Sequence, residues 1–167
     1  PLTSAIPIIL EVLSHKAGLG GMVAGQALDI RASDPKDENA LTEEELEAIH
    51  LKKTGALICA ALQCGALSVG AGADLVHDMG RFGEKVGLAF QVADDILDVE
   101  STSEELGKTA GKDAQDGKCT YPSILGLEAS HKKADLLANQ ALEILKPYGD
   151  KAQILRELTE FIIHRSH

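Results

Sequence analysis

The sequence is poor in what usually announces a metal cage, a disulfide scaffold or a sheet. Its three cysteines, Cys59, Cys64 and Cys119, show no CxxC spacing, and its six histidines form no HExxH pair. Neither a zinc site nor a disulfide framework is indicated, and a reducing cytoplasm fits best. Apolar residues nowhere alternate with period two for long, so the signal for strands is missing. Positive charge is scarce as well: 16 basic against 26 acidic residues leave a formal charge of −10, which argues against a nucleic-acid surface. Any anionic ligand must then be met by local cations or by metal, because the global field repels it. There is no internal repeat, no low-complexity tract and no basic, apolar leader pattern. The opening "PLTSAIPIIL" lacks an initiator Met and enters a helical pattern almost at once, which suggests a beginning inside a larger protein.

What is present is an ordinary globular balance. With 167 residues, 44% apolar and 25% charged, residues 1–167 read as a single domain or part of one. The stretch "TGALICAALQCGALSVGAGA", residues 54–73, carries no charge over about the length of a membrane span. Its glycines, alanines and Gln63 make a poor lipid-facing surface, so a buried, closely packed helix is expected and no membrane span. Helical spacing recurs throughout and predicts an all-α chain. The expected helices cover roughly 3–16, 22–30, 42–68, 74–99, 132–146 and 151–165, with Thr42 and Glu45 forming a capping box and Pro122 opening a helix at its first turn.

Chemistry concentrates in "FQVADDILDVE", residues 90–100. A helix turns about 100° per residue, so Asp94 and Asp98 lie one turn apart on one face, with Asp95 beside them. Carboxylates so placed repel one another unless a cation sits among them, and oxygen ligands on a rigid helix suit Mg²⁺ or Mn²⁺. The alternative is a solvated acidic stripe where a helix leaves the core. Against it stands the expected position near the C-terminal end of the helix dipole, where negative charge is unfavourable. A glycine-rich loop then presents Lys108, Lys112 and Lys118. Either it is a solvated loop, or its cations and the upstream carboxylates together hold a diphosphate bridged by metal. "IHLKKTGAL" sets Lys53 and Thr54 at the junction of a charged and an uncharged half-helix, and "GMVAGQALDI" spaces Gln26 and Asp29 by three. Taken singly, these read equally well as snorkelling lysines and internally satisfied polar groups.

The ordered set "GMVAGQALDI", "IHLKKTGALI", "GLAFQVADDILDVESTSEELGKTAGKD" and "GKCTYPSILGLE" resembles the C-terminal half of the trans-prenyl diphosphate synthases, the farnesyl and geranylgeranyl diphosphate synthase family. The resemblance extends over nearly the whole chain. It implies an all-α bundle of the isoprenoid synthase type around a deep apolar cavity, with Mg²⁺ (or Mn²⁺) and isopentenyl and allylic diphosphates as ligands, and a homodimer or higher oligomer. By position, Asp94, Asp95 and Asp98 match the second aspartate-rich motif. Asp94 and, less directly, Asp98 look like metal ligands, while Asp95 is either a ligand or one step removed. Lys53 and Lys108 match the lysines that hold the allylic diphosphate, and Lys118 another family lysine near the site. Thr54 and Gln91 are similar to residues lining the reacting ends of the substrates, and Phe90 would flank the homoallylic one. Lys52 stands where many members have histidine, and Lys112 has no assigned contact.

The resemblance also shows what is missing. The family's first aspartate-rich motif, the arginine pair after it and the basic residues that hold isopentenyl diphosphate have no counterpart here, so the chain looks like half of an active site and is expected to be inactive alone. With 3% aromatic residues and no Trp, the chain has few π faces to guide a wandering carbocation, which favours chain elongation over cyclisation. The rival reading is a non-catalytic homologue that pairs with an active synthase. The retained lysines and aspartates weigh against it, since a pure binding partner has no need of them.

Overall fold

The computed structural model describes residues 2–33, 41–105 and 119–164, and among these there are helices and no strands. Helix α1 spans Leu2–Ala17 and α2 Met22–Ala32. Next come α3, Glu43–His50, a π-helical segment, Leu51–Gly55, and α4, Ala56–Ser68. The long α5 covers Ala73–Glu105. A short α6, Tyr121–Leu125, leads through Gly126 into α7, Leu127–Leu145. A 3₁₀ turn over Lys146–Ala152, with Gly149 at φ 52°, then opens into α8, Gln153–His164.

Local chemistry explains the starts. The Thr42 hydroxyl accepts from Glu45 N at 3.2 Å while Thr42 N donates to a Glu45 carboxylate oxygen at 3.0 Å, closing the capping box of α3. Glu43, Glu44 and Glu45 add negative charge at the positive end of the dipole. Gly126, at φ 82°, stops α6 and begins α7 at Leu127, earlier than the expected 132.

Two expectations need correction. The helix expected over 42–68 is one axis, but the π segment interrupts its register. Helix α5 ends at Glu105 rather than at 99, so Asp98 sits seven residues from its end. Dipole effects fade within the last turn, so the dipole argument against a solvated stripe loses its force.

Helix α5 is the axis of the molecule. It lies between α4 and α7, with α1 against α4, α2 against the π segment and α8 against α7. Close approach depends on two glycines. A Cβ on Gly25 of α2 would overlap the backbone of Lys53, and one on Gly87 of α5 would come within 3.0 Å of Gly55 Cα. The π segment is thereby held between α2 and α5. The uncharged 54–73 stretch packs as expected, burying Ala56, Cys59, Ala60 and Ala66. By length and composition residues 3–32 could cross a membrane, but the turn at 18–21 divides them into two short helices.

Candidate active site

A cavity of about 200 Å³ opens where α2, α3, the π segment, α5 and the start of α6 meet. Lys53, Gln91, Asp94 and Asp95 line it together with Asp29, His50, Cys119 and Thr120. Lys53 Nζ lies 2.7 Å from Asp29 Oδ2, and both side chains are about one-third exposed or less. The Thr54 hydroxyl donates to Gln91 Oε1 at 2.6 Å, tying the π segment to α5 one turn before the aspartates. The π register places these groups. An i→i+5 turn widens the helix locally, and such bulges recur at functional sites. Here one turn sends Lys53 toward α2 and its neighbour Thr54 toward α5.

The aspartates do not share one role. Asp94 is exposed and Asp95 half-buried, and both line the cavity; Asp98 is half-buried and does not. Asp95 Oδ2 accepts the backbone N–H of Tyr121 at 2.9 Å. Among the described residues no three His, Cys, Asp or Glu side chains form a ready-made metal cage. Phe90 is half-buried outside the cavity lining, and Lys52 is exposed. Lys108, Lys112 and Lys118 lie outside the described residues.

His50 and Tyr121 were not apparent from the sequence. His50 is buried, and burial pushes its pKa down from 6.5 to about 4, with Asp29 and Asp94 opposing and Lys53 assisting. Its ring stacks on that of Tyr121 at 5.7 Å between centroids and 22° between planes. Tyr121 is fully buried, and burial, with Glu47, Glu43 and Asp95 nearby, pushes its pKa up. Among the described residues, neither His50 ring nitrogen nor the Tyr121 hydroxyl has a hydrogen-bond partner. Both stand inside the quoted motifs, His50 three residues before Lys53 and Tyr121 just before Pro122, but no residue type or spacing there singled them out.

The all-helical bundle is that of the isoprenoid synthases, and here it gathers a lysine, an amide and adjacent carboxylates at one helix-lined cavity. The chain belongs to the polyprenyl synthetase family, which it matches over residues 4–162. It is 42% identical over 159 residues to a dimethylallyltranstransferase of Fischerella ambigua, covering 95% of this chain and 45% of that protein. Identity to the farnesyl diphosphate synthase of Escherichia coli K12 is 42% over 162 residues, covering 95% and 53%. The solved geranyltransferase of Helicobacter pylori, complexed with magnesium and isoprenyl diphosphate, matches with a TM-score of 0.75 at 34% identity, covering 96% of this chain and 51% of that one. The chain spans about half the length of the curated relatives it matches.

Proposed function

We propose that this chain supplies one side of the active site of an Mg²⁺-dependent prenyltransferase that condenses isopentenyl diphosphate head-to-tail with an allylic diphosphate. The observation that carries the reading is the meeting of Lys53, Gln91, Asp94 and Asp95 at one cavity, with Thr54 hydrogen-bonded to Gln91. The donor set fits the metal. Asp94 offers hard oxygens, with Asp95 beside it as a ligand or one step removed, and an incomplete cage suits an ion that keeps its waters and shares a substrate phosphate. When bound, Mg²⁺ (or Mn²⁺) would neutralise the charge of the departing diphosphate.

The chain's own residues account for the rest. Lys53, now paired with Asp29, would extend its ammonium to the allylic diphosphate, and Lys108 and Lys118 would add further positive charge. As the allylic C1–O bond breaks, diphosphate leaves with the bonding pair. The double bond of isopentenyl diphosphate attacks C1 through C4, and the final proton passes to the diphosphate. The carbonyls and hydroxyl of the Lys53–Thr54 segment, with Gln91, would face the cation and stabilise it electrostatically. Asp98 would act on the metal less directly, and Phe90 would flank the homoallylic substrate. We place the protein in the cytoplasm, in keeping with three free cysteines.

One side of a cleft does not complete such a site, so we infer that the chain alone is inactive. Ile6, Ile8, Leu10 and Leu13 of α1 are 41–60% exposed, a surface that invites self-association or burial against the rest of the protein. The test is incorporation of labelled isopentenyl diphosphate into an extractable product. No product from the chain alone, and Mg²⁺-dependent product when the upstream half of a relative is added in trans, is expected. Sustained turnover by the monodisperse chain alone would overturn the half-site reading.

A further inference from the structure

The first turn of α6 leaves few donors to satisfy. Pro122 has no N–H, Ser123 N donates to Thr120 Oγ1 at 3.4 Å, and Thr120 N donates to Ser123 Oγ at 2.9 Å. The amide of Tyr121 remains, and Asp95 Oδ2 takes it from a different helix. Tyr121 is also the fully buried residue of α6, its ring set in the core with Leu46, Leu88, Val92, Ile96, Ala134 and Leu137, while Ile124 and Leu125 pack against that core from the same helix. The same ring stacks on His50, the last residue of α3, directly before the π segment that carries Lys53 and Thr54.

We propose that Asp95 is a positioning residue: it fixes the backbone of Tyr121, and through the Tyr121 ring it holds His50 and the Lys53-bearing segment in register with Asp94. The inference deepens the prenyltransferase reading and divides the labour of two adjacent carboxylates. Asp94, the exposed one, faces the ligand; Asp95, the half-buried one, acts through Tyr121. An acceptor oxygen is what this role requires, whereas a full negative charge is what direct metal ligation requires.

The two requirements separate in a pair of variants. Asp95→Asn keeps an acceptor for the Tyr121 amide and removes the charge; Asp95→Ala removes both. Three quantities are read on the whole chain: amide exchange at Tyr121, the ¹⁵N shifts of the His50 ring, and the affinity for inorganic diphosphate in excess Mg²⁺. In Asp95→Ala, Tyr121 exchange should accelerate by about tenfold, the size expected for losing one net hydrogen bond at the high end of its range. The His50 shifts should move with it. Asp95→Asn should leave exchange and shifts close to wild type and weaken diphosphate by less than about threefold, while Asp94→Asn weakens it by about tenfold or more.

Unchanged Tyr121 exchange in Asp95→Ala would overturn the proposal, as would an Asp95→Asn variant that loses diphosphate as fully as Asp94→Asn does. Should the wild-type chain fail to bind diphosphate at all, the prenyltransferase reading is what suffers. Exchange and His50 shifts then decide the role of Asp95 by themselves.

Discussion

Near its start, α5 packs Met79, Phe82 and Val86 against Ala66, Ala141, Leu145 and Ala152; further along, the same helix packs Leu88, Val92 and Ile96 against Leu46, Tyr121, Ala134 and Leu137. The first core is apolar throughout, and its neighbouring polar contact, Tyr148 to Asp78 at 2.6 Å, lies at its half-exposed edge. The second admits the His50 ring and the Tyr121 hydroxyl, with no partner for either among the described residues. A buried polar group without a partner costs about 1–3 kcal/mol, so the site end of α5 gives up stability that the other end does not. What the site end gains is placement: Asp95 on Tyr121, Tyr121 on His50, and Thr54 on Gln91. One end of the helix secures the fold and the other positions chemistry.

Substitutions should separate the two ends. Phe82→Ala removes a fully buried ring from the apolar core and should destabilise by about 3–5 kcal/mol in urea denaturation. Diphosphate affinity, measured under conditions where the variant is folded, should stay as it was. A matching loss of affinity would mean that the ends are not separate.

Acid should act on the site end. The His50 pKa is lowered on folding from 6.5 to about 4, so the unfolded chain binds the extra proton between those values. Its contribution is therefore present above pH 6.5 and lost as pH falls toward 4. The full loss is roughly 3 kcal/mol, read as a fall in unfolding free energy. His50→Phe, which keeps a ring against Tyr121, should flatten that slope. If wild type and variant lose stability in parallel, His50 is not the group responsible.

Smaller effects fall on the ligand. Asp94→Asn in a complete synthase should lower turnover on the order of 10²-fold, near 3 kcal/mol, with helicity by circular dichroism unchanged. Lys53→Gln should weaken an allylic diphosphate or its bisphosphonate mimic by roughly 1.5–3 kcal/mol in calorimetry. Repulsion from Asp29, left without its ion-pair partner, would add to that loss. Unaltered affinity would return Lys53 to the role of a structural counter-ion for α2.

Much of this was legible in residue patterns. Helical spacing gave the all-α class, the Thr42–Glu45 cap was readable at three-residue spacing, and the ordered motifs singled out Lys53, Thr54, Gln91 and Asp94, which the fold brings to the cavity or its edge. Three things were not legible, each for a physical reason. An i→i+5 register has no sequence period of its own, so the π segment hid inside a continuous helical pattern. The His50–Tyr121 stack and the Asp95–Tyr121 bond join residues far apart in sequence, and no local propensity encodes such pairings. Finally, the polar run after Asp98 read as a helix end, whereas α5 continues to Glu105.

The most direct test of the central claim is a calorimetric titration of inorganic diphosphate into the chain, with Mg²⁺ in excess and again with the metal removed by chelation. The account predicts binding only with Mg²⁺, weakened by about tenfold or more in both Asp94→Asn and Lys53→Gln, the range for losing one charge-assisted contact. Equal affinity with and without metal, or unchanged affinity in both variants, would contradict the assignment of this cavity to a metal-bridged diphosphate.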